Sequence, residues 1–505
     1  MRSRAYLPSL GLLSLILYFA LTLLSKEFNW GEGYAERPIL EYLALYFSLF
    51  VLYALACVHV FKTPWNQTTF WVLVICGLLF RSATLPSQQI QEDDVYRYLW
   101  DGKVFAHGIN PFEYAPEEIN DYKMFKINNP ESFQALYDER NQEELALLHK
   151  LKWDNDTALT FMERINHPHV ATLYPPLAQY VFRLVHNIHP DSILAMRSMF
   201  LVFDLIAMAF IVMTLHVLGL NRNYSLVYFW SPLIIKETFN STHLDIIGIS
   251  CLCVSIYFLV RKHMAWSIFF LALSVLGKIY SGILLPFYLQ RSWLIERKHA
   301  KSGWTGPVLH LSMFCAVLVF GYLPFVDIGW KVFEGLQTYG TQWQSNDSLF
   351  ALLLYFLNDI LQLGGKVIPV FGNSMILAKG IVFLVSVSVV SYMLIRKIPD
   401  PDASSEWVRN LFIAMVLVFL VSPVQNPWYL CWSVPFLCLF HWRSFILLTG
   451  LVGLYYLDFY FDYQEITQYS TWIPWIEYSP FYIYLIWELK NRPAQGGNYQ
   501  SKATP

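Results

Sequence analysis

Asp93 and Asp94 stand side by side in EDDVYRYLWDGKVFAHGINPFEYAP (residues 92–116), shortly after the apolar run TFWVLVICGLLFRSATLP. Two ionised carboxylates in contact repel one another, and each is costly to desolvate near a bilayer. If residues 93–101 are helical, Arg97 lies four residues from Asp93 and from Asp101 and three from Asp94. It can then hold one carboxylate while the neighbour's pKa rises through repulsion and partial burial, which is the setting of a general base. The same spacing equally describes a salt-bridged helix start whose Asp side chains answer the helix dipole. GINP reads as a tight turn, and His107 as a turn or interface residue.

Other residues with chemical potential recur along the chain. NHPHVATLYPPLAQY (166–180) carries His167 and His169, which with Asp93 and Asp94 offer a weak divalent-metal pattern; no other cofactor is indicated. Tyr174-Pro175-Pro176 sets a rigid entry into a helix. In FNSTHLD (239–245), Asn240, His243 and Asp245 sit at the start of an apolar helix, where Ser241 or Thr242 serves equally well as a plain N-cap. Lys236 and Lys278 lie inside apolar segments, and intramembrane ionisable residues are by default functional candidates. Arg81 belongs with them, or simply snorkels from a span end. Two or three such cations around a cavity suit a phosphate or pyrophosphate. QNPWYLCW (425–432) places Trp428, Tyr429 and Trp432 either in an interfacial belt or as a stacking wall for a sugar ring.

These residues must be positioned by a membrane scaffold. The chain has 505 residues, 56% hydrophobic and 14% charged, with repeated apolar runs long enough to cross hydrocarbon. The fold class is an all-α polytopic membrane protein. About twelve spans are expected: 5–25 (uncleaved), 39–61, 68–86, 191–218, 223–239, 244–260, 306–326, 370–395, 408–424, 428–440, 444–460 and 472–488. Segment 264–290, basic at both ends with Lys278 and Gly282 in its middle, reads as a broken re-entrant helix pair. Tyr174–Ile188, interrupted by Arg183 and His186, reads as a half-span or interfacial helix.

With the basic N-terminus in the cytoplasm, Arg261–His263, Arg291–Lys301, Arg396–Lys397, His441–Arg443 and Lys490–Arg492 fall on the same side. Asp93 and Asp94, loop 87–170, FNSTHLD, loop 329–348 and QNPWY then share the opposite, extracytoplasmic face. Loop 87–170 is too long for a connector and too aromatic for a disordered one. Residues 1–490 form a single transmembrane domain, and 491–505 a polar cytoplasmic tail. The seven cysteines all lie in apolar segments and read as packing residues, and a formal net charge of −2 gives no sign of nucleic acid.

The ordered set, EDDVYRYLWDGKVFAHGINPFEYAP, then HPHVATLYPPLAQY, NSTHLD, an intramembrane Lys and NPWYLCW, resembles the GT-C superfamily of polyprenyl-phosphate-sugar-dependent glycosyltransferases. It is most similar to the bacterial mannosyltransferase-like group also described as DUF2029 or glycosyltransferase family 87, over most of residues 80–440. The resemblance implies a GT-C-like bundle in a bacterial plasma membrane with its active site extracytoplasmic. It implies a lipid-linked sugar donor lying in the membrane lipid, a glycan or lipid acceptor, and Asp93 or Asp94 as catalytic base. Arg97, Lys236 and Lys278 are the candidates for the donor phosphate. Trp100, Asp101, His107, Asn110, Tyr174, Asn240, His243, Asp245, Gln425, Asn426 and Trp428 are the candidate substrate-binding residues. The chain departs from the group in carrying its acidic motif after a third span, which makes residues 1–66 an added pair. A secondary transporter built around the broken pair and Lys278, or a non-catalytic envelope scaffold, is the competing expectation.

Overall fold

The computed structural model of the chain describes residues 2–298, 303–396 and 399–491; Lys301, Lys397, Arg492 and nearly all of the polar tail expected from residue 491 lie outside these. The described secondary structure is helical, with two isolated bridges, Ser345 to Val424 and Ile368 to Gly372. Among the described residues, eight helices are long and apolar enough to cross a membrane: Ala5–Glu27, Tyr34–Lys62, Gln67–Thr84, Ile193–Val217, Thr305–Gln342, Ser374–Arg396, Ser404–Val421 and Arg443–Tyr463. Their outward faces expose Val308, Leu309, Phe320, Phe383 and Leu384, as side chains in contact with lipid would be.

Further apolar helices, Asp245–Val260, Met264–Gly277, Leu349–Ile360 and Pro427–Phe440, are shorter than a span requires. The expected span 223–239 is not one continuous helix. It runs as Arg222–Ser225, Leu226–Phe229 and Pro232–Ile235, followed by a π-helical turn at Lys236–Asn240. Pro232 disfavours helical backbone at the preceding residue, and Ser231 accordingly takes φ −59 and ψ 116.

At the centre lies Asp245–Val260, buried almost all round and followed after three residues by Met264–Gly277. Glycines let this hairpin close: a Cβ on Gly277 would lie 2.9 Å from the Gly248 nitrogen, and one on Gly248 would lie 2.4 Å from the Trp432 ring. The chain then breaks at Lys278, which is extended (φ −160, ψ 132), and turns through Ile279–Leu284 into Leu285–Arg297. Arg291 in this last helix donates to the Leu259 carbonyl at 2.8 Å, while Lys262 and Lys298 both pair with Asp402. One end of the central helices therefore gathers basic side chains, and the other carries Asp245 and Lys278.

Loop 87–170 folds into five helices, Asp94–Ala106, Pro116–Asn128, Pro130–Leu136, Glu139–Lys152 and Asp156–Glu163. Asp138 and Asn155 cap the last two, each accepting a backbone N–H at 2.8 Å. The expected half-span is the 13-residue helix Pro176–Ile188, with Pro176 in its first turn.

Candidate active site

The carboxylates are placed by a clamp on the segment preceding them. Asn240 donates to Ser87 Oγ at 2.9 Å and to the Gln88 carbonyl at 2.6 Å, and its Oδ1 accepts the Ile90 N–H at 3.1 Å. Arg197 donates to the Leu85 carbonyl at 2.8 Å and the Asn240 carbonyl at 2.6 Å. The chain then passes Gln91 in the left-handed region (φ 69) and enters the helix Asp94–Ala106. That helix lies tightly on Pro176–Ile188, because Gly102 lets the Phe182 carbonyl come within 2.5 Å of where a Cβ would be. Tyr98 stacks on Phe182 at 4.7 Å between ring centroids.

The two carboxylates face different partners. Asp93 accepts from Arg164 Nη2 at 2.7 Å, and burial raises its pKa against the pull of Arg164 and Arg37. Asp94 accepts from Asn166 Nδ2 at 3.2 Å and Tyr98 OH at 3.4 Å, and lies 3.5 Å from His243 Nδ1. Burial would raise its pKa, but His243, Asn166 and Lys278 outweigh that and lower it. His243 stacks flat on Trp428, 3.9 Å between centroids, and its Nε2 lies 3.4 Å from Glu237. Burial would lower the imidazole pKa; Asp94, Glu237 and Glu92 together raise it. Glu92 itself is buried, with Oε1 lacking a partner among the described residues, and burial pushes its pKa up to about 8.

Asp93 and Asp94 line a cavity of about 570 Å³ whose wall mixes aromatic and polar groups: Glu92, Tyr174, Tyr339, Trp343, Asn426 and Trp428 among them. A second cavity, of about 550 Å³, is almost wholly apolar, walled by Val275, Leu276, Leu318, Val319, Leu336 and Val418. The two share Leu173, Tyr174, Lys278, Tyr339, Trp343 and Tyr429. Lys278 therefore stands where the polar chamber meets the greasy one. Its ammonium bonds both oxygens of Asp245, at 2.8 and 2.7 Å, and sits 4.1 Å over the Tyr429 ring. Asp245 also accepts the Trp432 indole N–H at 2.6 Å.

The structure gives several of the candidate residues partners elsewhere in the fold. Arg97 lines the polar cavity but pairs with neither Asp93 nor Asp94; it bonds Asp101 at 2.7 Å and the Val170 carbonyl at 2.9 Å, tying the helix to the end of the loop. Asp101 is in turn buried with Gln179, at 3.1 Å. Lys236 is buried and bonded to Tyr456 OH, Ser241 Oγ and the Ile90 carbonyl, with Tyr456 beneath it, so it braces the core and lines neither cavity. Arg81 is spent on Asp204 in a fully buried pair. Trp100 is buried in the hydrophobic core, His107 bonds the Lys103 carbonyl, and Asn110 bonds Asp327 at 2.8 Å. Asn240 is the clamp described above, and Gln425 is buried on the Leu420 and Ser422 carbonyls. His167 packs on Trp343, and no group of three or more His, Cys, Asp or Glu among the described residues is arranged to hold a metal.

Tyr174, Asn426 and Trp428 do line the polar cavity, with His243 and Asp245 directly behind its wall. Sequence reasoning missed Arg37, Gln91, Arg164, Asn166, Tyr339, Trp343, Tyr455, Phe459 and Tyr463. Only the polar stretch around Asn166 and the aromatic density of 455–463 offered any signal, and neither is distinctive in so aromatic a chain.

Residues 360–462 match the family model described as the MptB C-terminal domain. That stretch contributes Asn426, Trp428, Tyr429, Tyr455 and Phe459 to the cavity wall. The likeness covers about a fifth of the chain, and the long apolar helices support an integral membrane protein. Neither the curated proteins nor the solved structures gave a match.

Proposed function

We propose that the protein is an integral-membrane glycosyltransferase that moves a hexose, mannose first among them, from a polyprenyl-phosphate donor to a glycan or lipid acceptor. The observation that carries this reading is the junction at Lys278. A long apolar cavity and a polar chamber with two carboxylates meet at one cation, which is what a donor with a lipid tail, a phosphate and a sugar requires. The tail lies along Leu318, Val319 and Leu336; the phosphate reaches Lys278, whose third N–H is left over from its bonds to Asp245; the sugar extends toward Asp94 and Trp428.

Asp94 is the carboxylate placed to act as base, since Lys278 acts on it while Asp93 is held by Arg164. Its lowered pKa keeps it ionised when the acceptor arrives, at some cost in intrinsic basicity. The acceptor oxygen forms a bond to the anomeric carbon as the carbon–oxygen bond to phosphate breaks, with inversion. Asp94 takes the hydroxyl proton, and polyprenyl phosphate leaves as an anion needing little acid help. In this reading the end carrying Lys262 and Lys298 faces the cytoplasm and the chamber opens extracytoplasmically in a bacterial plasma membrane, which the bias of basic side chains toward that end supports. The helix pair 264–297 then enters and leaves by one face. The cations used are side chains, so no cofactor is invoked.

The test is donor handling by purified protein in lipid. Leu336→Trp, which fills the apolar cavity, and Lys278→Ala are expected to raise the KM for polyprenyl-phosphate mannose about tenfold or more, without matching loss of thermal stability. Unchanged donor KM in both variants would overturn the assignment.

A further inference from the structure

The polar chamber has a second end. Tyr34, Arg37, Gln91, Phe459 and Tyr463 line it without touching the apolar cavity. Tyr34 lies in, and Arg37 just after, the 3-10 turn at Tyr34–Glu36 that leads into the α-helical part of the second span, Ile39–Lys62, and Phe459 and Tyr463 come from Leu457–Tyr463 at the end of the span Arg443–Tyr463. The residues are locked together. Arg37 lies 4.2 Å over the Tyr34 ring, and Tyr34 packs on Tyr463 at 5.2 Å. Arg37 Nη1 donates to Gln91 Oε1 at 2.7 Å, and Tyr463 OH donates to the same oxygen at 3.1 Å.

Those two donors fix the orientation of the Gln91 amide, since only its oxygen can accept. The amide nitrogen is then the group left over: Gln91 Nε2 is buried and has no partner among the described residues. The adjacent Glu92 also lines the chamber, more than nine-tenths buried, with Oε1 equally without one. Buried polar groups without partners are costly, and Gln91 additionally holds a left-handed backbone that a side chain of its size rarely adopts. Such features persist where a ligand completes them.

We infer that this end of the chamber is the acceptor subsite, and that it takes a neutral sugar residue. A sugar offers hydroxyls that both donate and accept, matching Gln91 Nε2 and Glu92 Oε1 on the wall of one chamber, and an apolar ring face matching Phe459 and Tyr463. Arg37 is committed to Gln91, Tyr463 and the Asn29 carbonyl, so its guanidinium organises the subsite and leaves no fork for a phosphate on the acceptor. Asp93 feels Arg37 at this end and Asp94 feels Lys278 at the other, so a hydroxyl bound here approaches the donor sugar across the carboxylates. The first two helices thus have a role, since they bring Tyr34 and Arg37 to the acceptor. This inference rests on the transferase reading above.

The experiment is equilibrium binding to the full-length protein in lipid nanodiscs, with mannobiose, cellobiose and N,N′-diacetylchitobiose as neutral probes and mannose 6-phosphate as the charged one. Polyprenyl-phosphate mannose is titrated in parallel. One neutral disaccharide is expected to bind, at least tenfold more weakly to Gln91→Leu and Tyr463→Ala, and within twofold of wild type to Lys278→Ala. If Gln91→Leu melts early, Phe459→Ala carries the same expectation. Binding of no neutral probe, equal loss in Lys278→Ala, or tighter binding of the phosphorylated sugar through Arg37 would overturn the subsite. Donor binding lost only in Lys278→Ala would leave the transferase reading standing in those cases. Disaccharide binding that depends on Gln91 in a protein that ignores the donor would support the subsite and overturn the transferase.

Discussion

At the scale of single residues, the chamber's chemistry depends on which charges face it and which are already spent. Lys236 and Lys278 are indistinguishable in sequence, each a lysine in an apolar run. The structure separates them through distant partners: Tyr456 and Ser241 enclose the first, while Asp245 holds the second at the cavity junction. Nothing local announces those partners, which is why the sequence identified a class of candidates and only the fold chose among them. Asp94 shows the same dependence. Its ionisation rests on His243, which faces Asp94, Glu92 and Glu237, with Lys278 and His167 acting on Asp94 from elsewhere. Removing the imidazole cation removes a group that lowers the Asp94 pKa, so that pKa rises. We therefore expect His243→Gln to shift the acidic limb of the kcat/KM pH profile upward, while the plateau at higher pH changes less. An unshifted acidic limb, measured between pH 4 and 8, would show that His243 does not tune the base.

At the scale of elements, glycines set how closely the carrying helices approach. The charge spacing of 93–101 fits a helix without requiring one, and the structure has one at Asp94–Ala106; that loop 87–170 is ordered was legible from its length and aromatic content. The partner of that helix was not legible, because Gly102 signals a close contact without saying with what. Here the neighbour is backbone, the Phe182 carbonyl at 2.5 Å from a virtual Cβ. Backbone cannot swing aside as a side-chain tip does, so Gly102→Ala must part the two helices. A cost of about 1–3 kcal/mol is expected from such overpacking. Since Asp93 and Asp94 begin this helix, transfer should fall along with the melting temperature. A Gly102→Ala protein with wild-type melting and activity would mean the helices are not so closely seated. The segment 223–239 gives the converse lesson. Its apolar composition read as a span, yet Pro232 and the π-helical turn at Lys236–Asn240 break it, and that break supplies the Asn240 clamp.

At the scale of the whole molecule, the chain gathers carboxylates, tyrosines and tryptophans at one end and pairs its lysines with Asp400 and Asp402 at the other. The basic segments read in the sequence already pointed to this polarity, because charge bias in short loops is local information. The convergence of 34–37, 91–94, 166–174, 339–345 and 426–463 on one chamber was not legible, being a property of the packed bundle. In intact cells, an impermeant maleimide should label Glu139→Cys, in the loop helix Glu139–Lys152, and reach Lys298→Cys only after permeabilisation. The reverse pattern would invert the orientation. What has to be tested is sugar transfer in the chamber with Asp94 as base. The most direct measurement is transfer from radiolabelled polyprenyl-phosphate mannose to a mixed acceptor extract by purified protein in lipid, for wild type, Asp93→Asn and Asp94→Asn. The account predicts an active wild type, a loss of about 10²–10⁴-fold in Asp94→Asn, and a smaller loss in Asp93→Asn. An Asp94→Asn protein that transfers as well as an active wild type, or a wild type silent with mannose, glucose and arabinose donors alike, would contradict it.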